Sequence, residues 1–220
     1  MKLLREVGVD RQRVEQARGA ERRALSRTQC RLADPTAYRE VRYVQFEHVA
    51  GEETWAEVAT LFVSSFSAPP YNEPPAELQS IDRWGPECLA GPGGRLVAAS
   101  HDEHVIGFAL SQRLDQDSSW QRRLKEMLPE RDAAITPSRT VIVQELAVDE
   151  RFRGRGIAKQ CIHHLLSSRT ENDAILGVYG QVPQVREMYG RWGFSEMGAS
   201  LIYGGSVTLH ALHHRLPWSA

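Results

Sequence analysis

The segment that most constrains the fold of this chain is a glycine-containing turn between a strand-like run and a helix-like run. Residues 149–159 read "DERFRGRGIAK"; they follow the apolar run "TVIVQELAV" and precede "QCIHHLL". Glycines let a backbone approach a ligand closely, and the first N–H groups of a helix attract anions. The pattern therefore predicts a phosphate-binding turn, with an ordinary surface turn carrying solvated arginines as the alternative.

This turn matches neither of the two best-known nucleotide motifs. A phosphate loop requires GxxxxGK followed by Ser or Thr, and a dinucleotide fingerprint requires GxGxxG. Lys159 stands where the third glycine of the fingerprint would fall. We therefore expect a phosphate-bearing ligand of another class.

The composition of the chain narrows the classes of partner. Its 220 residues carry a formal net charge of −1 and include three cysteines, none of them in a CxxC pair. The charge indicates no nucleic acid partner, and no apolar run approaches the roughly 20 residues that a membrane span needs. The cysteine pattern indicates reduced thiols and no metal site. We expect a cytoplasmic protein with no nucleic acid, membrane or metal partner.

The order of strand-like and helix-like runs predicts an α/β fold, with helices around a mixed sheet, in a single domain. Strands are predicted at 39–49, in a hairpin at 95–114 that turns at 101–104, at 140–148, at 173–180, and in a final hairpin at 194–214 that turns at 204–205. Helices are predicted at 52–70, 74–90, 154–170 and 182–193. A polar, partly helical insertion at 115–138 is expected on the surface.

Two motifs at separate places in the chain resemble one family. "RFRGRG" at 151–156 is similar to the Q/R-x-x-G-x-G/A signature of the GNAT superfamily of N-acetyltransferases, and "MYGRWGF" at 188–194 is similar to its Y-x-x-x-G-F element. The resemblance implies a GNAT-like acyl-CoA N-acyltransferase fold over residues 39–216, with acetyl-CoA as the acyl donor. Residues 1–38 are expected to form a basic N-terminal arm, as a surface helix or without order.

The resemblance also implies which residues bind acetyl-CoA. The pantetheine arm would pair with the backbone of a strand that splays from its neighbour at a β-bulge, here Leu146, Ala147 and Val148. The pyrophosphate would lie on the glycine turn, with these residues around it: Arg151, Arg153, Gly154, Arg155, Gly156, Ile157 and Ala158. One departure concerns an N-x-x-A element, replaced here by Val182 and Val185. Gln181 and Gln184 are candidates to substitute for the missing asparagine.

The family's tyrosine, which lies near the thioester sulfur, corresponds to Tyr189. A phenol with a pKa of about 10 is a proton donor at neutral pH; the alternative is a core aromatic beside Trp192 and Phe194. Glu145 is the candidate general base, or a charge that orients a cationic substrate. Strand alternation is expected to place Val143, Glu145 and Ala147 on one face. A covalent route through Cys161 is not expected, because this residue falls on an apolar helix stripe.

The acceptor pocket of the family comes from the segment between the first two helices. Tyr71, Glu73 and Trp84 would offer an aromatic wall and a negative charge to an amine; a proline-stiffened turn is the alternative. We therefore predict acetyl transfer to a primary amine of a small molecule, such as an aminoglycoside-like natural product, or of a peptide. A non-catalytic coenzyme A-binding module is the alternative function. The basic arm would have no functional role, dock an acidic partner, or cover the acceptor pocket or a homodimer interface.

Overall fold

The computed structural model describes residues 41–76, 78, 81–115, 119–127, 135–202 and 207–218. Within these ranges one seven-stranded sheet has the strand order β1-β2-β3-β4-β5-β7-β6. The strands are β1 Arg42–Phe46, β2 Arg95–His101, β3 His104–Arg113, β4 Thr140–Val148, β5 Asp173–Tyr179, β6 Ser195–Ile202 and β7 Val207–Arg215. The α-helices are α1 Glu52–Ser67, α2 Ile81–Ala90, α3 Ser119–Met127, α4 Ile157–Leu166 and α5 Pro183–Arg191.

The pairing of β4 with its two neighbours changes along its length. β4 is antiparallel to β3 through to Val148, but its parallel register with β5 ends at the pair Val143–Leu176. On the β3 side, one extra residue of β4, Gln144, interrupts the register. Such a bulge bends a strand and increases its twist. The two central strands therefore diverge and leave a fork between them.

Helices α1 and α2 cover one face of the sheet. The buried positions of α1, which include Trp55, Val58 and Phe62, recur every three or four residues and so form one apolar stripe. A Cβ atom on Gly85 would lie 2.4 Å from the Trp55 ring, so α2 approaches α1 closely at this glycine. The core behind them includes Phe108 of β3. Each such side chain contributes about 1.5–3 kcal/mol by its burial.

Helix α4 packs on the opposite face and is held at its C-terminal end by a buried arginine. Its apolar stripe includes Ile157, Cys161 and Leu165, all buried. Arg95 of β2 donates from Nη1 to the backbone oxygens of Leu165 (3.1 Å) and Ser167 (2.7 Å). A cation at this position satisfies carbonyls that have no partner within the helix and complements the helix dipole. These hydrogen bonds tie the C-terminal end of α4 to β2.

Most predicted elements agree with the observed ones, and β4 has the predicted bounds. The first hairpin turns through Asp102 and Glu103, both with positive φ. The second helix begins at Ile81 rather than Pro74, because 74–76 form a loop and turn. The arm at 1–38 and the turn at 204–205 lie outside the described residues.

The prediction that the insertion at 115–138 lies on the surface was wrong for helix α3. Trp120 and Leu124 are each 3% exposed. The reason is tertiary: a Cβ atom on Gly177 of β5 would lie 2.8 Å from the Trp120 ring. The absence of a side chain at Gly177 lets the indole pack directly on the sheet. Among the helices that the structure describes, none is long and apolar enough to cross a membrane.

Candidate active site

A cleft of about 610 Å³ lies in the fork between β4 and β5. Its walls include the end of β4, residues 146–148, and the end of β5, residues 177–179. On one edge these β4 residues pair with β3, so their N–H and C=O groups on the other edge face the fork. Backbone groups left by a neighbouring strand can pair with an extended ligand. The volume is in the range of cofactor and small-molecule sites.

The glycine turn forms one end of this cleft. Gly154 and Gly156 have φ values of +75° and +79°, which favour glycine, and both line the cleft. Apart from the adjoining residues of the chain, no heavy atom of the described residues lies within 4 Å of the Cβ position of either glycine. Helix α4 follows at once, so its first N–H groups have no acceptor within the helix. Open space beside the N–H groups of a helix N-terminus is the arrangement that an anion-binding site requires.

The three arginines of the turn have different positions. Arg153 lines the cleft, and its Nε donates to the backbone oxygen of Val148 at 3.0 Å, which ties the turn to the end of β4. Arg151 is bound in two places to Asp149, at 3.0 and 2.7 Å, and the same pair holds the pKa of that carboxyl below its usual value. Arg155 lies over the Phe152 ring, 5.3 Å from its centroid. The cleft lining includes Arg153 but neither of the other two arginines.

Tyr189 of α5 is both a packed aromatic and a wall of the cleft. It is 6% exposed, and its ring meets those of Trp192 and Phe194 at 5.3 and 5.4 Å. Burial raises its pKa, with smaller contributions from Tyr71 and from the charge of Glu145. The phenol is therefore protonated throughout the neutral pH range. The sequence left open whether Tyr189 is a proton donor or a core aromatic. Its position in the structure is compatible with both, because the ring is packed and also lines the cleft.

Glu145 is buried on the sheet face that α1 and α2 cover rather than exposed in the cleft. It is 1% exposed and is not among the lining residues. Its cross-strand partner is Leu110, which belongs to the core under α1 and α2. Its charge raises the pKa of Cys88 and of Tyr71, in both cases after the larger effect of burial. The carboxylate therefore lies close enough to both groups to raise their pKa values, although it does not line the cleft.

The expectation that Val143 shares a face with Glu145 and Ala147 was wrong. Val143 pairs with Ser111, whereas Glu145 pairs with Leu110, the preceding residue of β3. Adjacent residues of one strand point to opposite faces. The bulge in β4 therefore turns Val143 to the other side of the sheet and leaves Glu145 and Ala147 together.

Of the three residues predicted to bind the acceptor, Tyr71 lies in the cleft. Its ring meets Phe66 at 4.9 Å and Tyr179 at 6.3 Å, and all three line the cleft. Glu73 donates its backbone N–H to the oxygen of Phe66 at 2.9 Å, and its side chain is outside the lining. Trp84 packs against the core under α1 and α2. The structure therefore brings Tyr71 together with Tyr189 but not with Trp84.

Comparison with known proteins identifies the family. The model of the acetyltransferase (GNAT) family matches residues 55–194. This chain belongs to the GNAT acetyltransferase family. No curated protein matches it.

Solved GNAT structures share its fold at low sequence identity. An acetyltransferase of the GNAT family from Staphylococcus aureus Mu50 is 14% identical, with 80% of this chain and 100% of that chain covered and a TM-score of 0.57. Arabidopsis thaliana NAA60, solved with acetyl-CoA, is 17% identical over 80% and 99%, with a TM-score of 0.56. The ribosomal-protein-S18-alanine N-acetyltransferase of Escherichia coli is 11% identical over 81% and 97%, with a TM-score of 0.55.

Several cleft residues of this GNAT protein were not predicted as site residues. Lys159 lies in the first turn of α4 and lines the cleft, and its place directly after the glycine turn was the available signal. Tyr179 is the last residue of β5 and also lines the cleft. The available signal was an aromatic residue at the end of a strand, which is only a weak indication of a pocket wall. Of the two glutamines considered for the missing asparagine, Gln184 lines the cleft and Gln181 does not.

The buried cysteines of this GNAT protein are unsuited to nucleophilic chemistry. Cys161 is 0% exposed, and burial raises the pKa of its thiol to about 12. Burial and the charge of Glu145 raise the pKa of the Cys88 thiol to about 12 as well. A thiol must be deprotonated to act as a nucleophile. Both cysteines are therefore packing residues. For Cys161 this agrees with its predicted place on the apolar stripe of the helix. Among the described residues no group of three or more His, Cys, Asp or Glu is placed to hold a metal ion.

Proposed function

We propose that this protein is an N-acetyltransferase that moves an acetyl group from acetyl-CoA directly to a primary amine of a small molecule or a peptide. The observation that carries the proposal is the fork that begins beyond the Val143–Leu176 pair and leads to the glycine turn. An extended arm with phosphates at one end fits such a cleft. Membership of the GNAT acetyltransferase family supports the same reaction class.

The residues of the cleft suit both parts of acetyl-CoA. The backbone of 146–148 would bind the pantetheine arm in the manner of an added strand. The N–H groups at the start of α4 would bind the pyrophosphate, with Arg153 and Lys159 supplying positive charge at the lining. Arg151 and Arg155 would contribute from the exposed rim of the turn. Gln184 would take the place of the asparagine that is missing at Val182.

Two proton movements fall to the protein. Bound acetyl-CoA supplies an activated thioester, whose C–S bond breaks as the amine nitrogen bonds to the carbonyl carbon and loses a proton. Tyr189 would give its phenolic proton to the departing sulfur, since a phenol is protonated at neutral pH and this residue lines the cleft. General acid catalysis by a positioned group is worth about 10² to 10⁴ in rate.

Glu145 fits two roles on the acceptor side. As a general base it would take the amine's proton through a bridging water or hydroxyl, because its carboxylate is not at the cleft surface. As a fixed negative charge it would favour binding of the ammonium form. Tyr71 would be a candidate for the bridging hydroxyl, since it lines the cleft and the charge of Glu145 is close enough to raise its pKa, after the larger effect of burial. The aromatic wall of Phe66, Tyr71 and Tyr179 suits a cationic group lying against ring faces.

A screen of amines with acetyl-CoA tests the proposal. The panel should contain aminoglycoside-like compounds, other natural-product amines, and peptides with free N-termini, with thiol release and product mass as readouts. We expect saturable acetylation of at least one class. Binding of acetyl-CoA without transfer to any amine would instead support the non-catalytic module, which the valines at 182 and 185 in place of the N-x-x-A element favour.

A further inference from the structure

We infer that Trp120, on the inserted helix α3, limits the size of the acyl group that the cleft accepts. The inference rests on the proposed function, because it concerns the acyl donor of that reaction. The segment between β3 and β4, which contains α3, would then help to determine which acyl-CoA the protein accepts. Trp120 would act as a specificity-determining residue behind the cleft wall.

Gly177 marks the closed end of the fork. The last pair between β4 and β5 is Val143–Leu176, so Gly177 is the first residue of β5 beyond it. It lines the cleft together with the next two residues of β5. A glycine at this point gives the cleft wall no side chain of its own. The groups that pack behind Gly177 therefore support the cleft wall there without lining the cleft themselves.

The Trp120 ring stands behind Gly177. A Cβ atom built on Gly177 would lie 2.8 Å from Cη2 and 3.1 Å from Cζ2 of the indole, and 2.9 Å from Cδ1 of Leu209. Trp120 is 3% exposed, so its ring is enclosed by the protein. Closely packed interiors resist added volume. The indole and Leu209 thus form a firm wall where a side chain of β5 would otherwise lie.

The direction of the bound donor follows from the order of the chain. The glycine turn comes after the C-terminal end of β4, so phosphates on the turn place the arm along β4 toward its middle. The four steps from Val148 back to Gln144 span roughly 13 Å at about 3.3 Å per residue. The reactive end of the donor then lies at the base of the fork, beside Gly177. Carbon atoms added to the acetyl group would meet the wall formed by Trp120.

The test compares donors of increasing chain length in variants of Trp120. Calorimetry gives the dissociation constants of acetyl-, propionyl- and butyryl-CoA for the wild type, Trp120→Ala and Trp120→Phe, and transfer to an accepted amine gives kcat/KM. A misfit of one or two methylenes is worth about tenfold or more in affinity or rate. We expect the wild type to favour acetyl-CoA over butyryl-CoA by at least this factor. We call the preference for acetyl-CoA over butyryl-CoA, in affinity or in kcat/KM, the donor ratio. Trp120→Ala should bring this donor ratio close to one, and Trp120→Phe should give a value between those of the wild type and Trp120→Ala.

Leu124→Ala is the matched control. Leu124 lies on the same helix and is equally buried at 3%, but it is not among the atoms nearest to the Cβ position of Gly177. The control should leave the donor ratio at its wild-type value while lowering the melting temperature. An unchanged ratio in folded Trp120→Ala, or an equal change in Leu124→Ala, would overturn the inference.

Trp120→Phe keeps the test decisive if Trp120→Ala does not fold. The smaller ring retains an aromatic wall but shortens it, so the ratio should still move toward longer donors. An unchanged ratio in folded Trp120→Phe would then overturn the inference. Failure of the wild type to bind any acyl-CoA would overturn the proposed function itself. Normal binding of acetyl-CoA with no change of ratio in the variants would overturn the role of Trp120 alone.

Discussion

Val143 of β4 and Leu176 of β5 form the last backbone pair before these two parallel strands separate. Strands in the middle of a sheet normally satisfy their N–H and C=O groups on both edges. Here the bulge at Gln144 bends β4 away, so backbone groups of 146–148 on the β5 side lose their strand partner, and one of them, the oxygen of Val148, accepts from Arg153 instead. The interruption of the sheet is thus the feature on which the proposed function depends.

Tyr189→Phe should lower the turnover and leave the affinity for acetyl-CoA nearly unchanged. The substitution removes the proton donor but keeps the ring that packs on Trp192 and Phe194. Loss of general acid catalysis predicts a fall in kcat of about 10² to 10⁴. Single-turnover kinetics and calorimetry measure the two quantities separately. An unaltered rate of the chemical step would reduce Tyr189 to a packing residue.

Glu145→Gln distinguishes the two roles of this carboxylate. If Glu145 accepts the amine's proton, kcat should fall and the remaining activity should rise with pH as more of the amine becomes neutral. If Glu145 is an orienting charge, KM for the amine should rise while kcat changes little. The pH dependence of kcat and of kcat/KM separates these outcomes. Unchanged values of both constants would exclude either role.

The thermal stability should decline as the pH falls below about 6.5. His214 packs against Phe194 and Trp218 at ring distances of 5.2 and 4.7 Å, and burial lowers its pKa. Below its ordinary pKa of about 6.5 the unfolded chain takes up the proton first, so stability is lost from that pH down to the folded pKa. Each kcal/mol lost lowers Tm by about 2–4 °C.

His214→Phe should flatten this pH dependence, which differential scanning calorimetry records. Part of the slope should remain, because the pKa of His164 is also lowered, by burial and by the neighbouring His163. His48→Asn is the matched control, since His48 is exposed and has a positive φ that asparagine tolerates. An equal effect in both variants would show that His214 is not the responsible group.

Local patterns along the chain are sufficient to predict much of the site. The apolar run of β4, the glycines after it and the apolar stripe of α4 are all visible within 27 consecutive residues, 140–166. These features specify a strand, a turn of positive φ and a helix N-terminus without any distant contact. The place of the proposed pyrophosphate site can therefore be predicted from the sequence alone.

Features that depend on distant contacts could not be predicted in this way. The burial of Trp120 depends on a glycine 57 positions later, and the polar residues around it indicate an exposed helix. The face of the sheet to which Val143 points depends on the bulge at Gln144, which is visible only in the register between β4 and β3. Glu145 is buried on the sheet face that α1 and α2 cover, and the sequence of its own strand does not show that cover. The errors at Trp120 and Val143 both come from tertiary packing that overrides a local pattern.

Removal of residues 1–37, so that the chain begins at Tyr38, should leave folding and acetyl transfer intact. The arm is rich in Arg, Glu, Gln and Ala and has few large apolar residues to add to a core. A change in stability below 1 kcal/mol corresponds to a shift in Tm within about 2–4 °C. Calorimetry, light scattering and turnover of acetyl-CoA compare the two proteins. A larger loss of stability, a change of oligomeric mass or a loss of turnover would make the arm an integral part of the fold.

The most direct test of the account is the affinity for acetyl-CoA of the wild type and of Gly154→Glu, measured by calorimetry. The substitution places a bulky anion at a position with φ of +75°, in the open space proposed for the pyrophosphate. Gly51→Glu is the control, because Gly51 also has open space around its Cβ position but lies outside the cleft lining. We predict saturable binding to the wild type and to Gly51→Glu, and no measurable binding to folded Gly154→Glu. Equal affinity in all three proteins would contradict the assignment of the glycine turn.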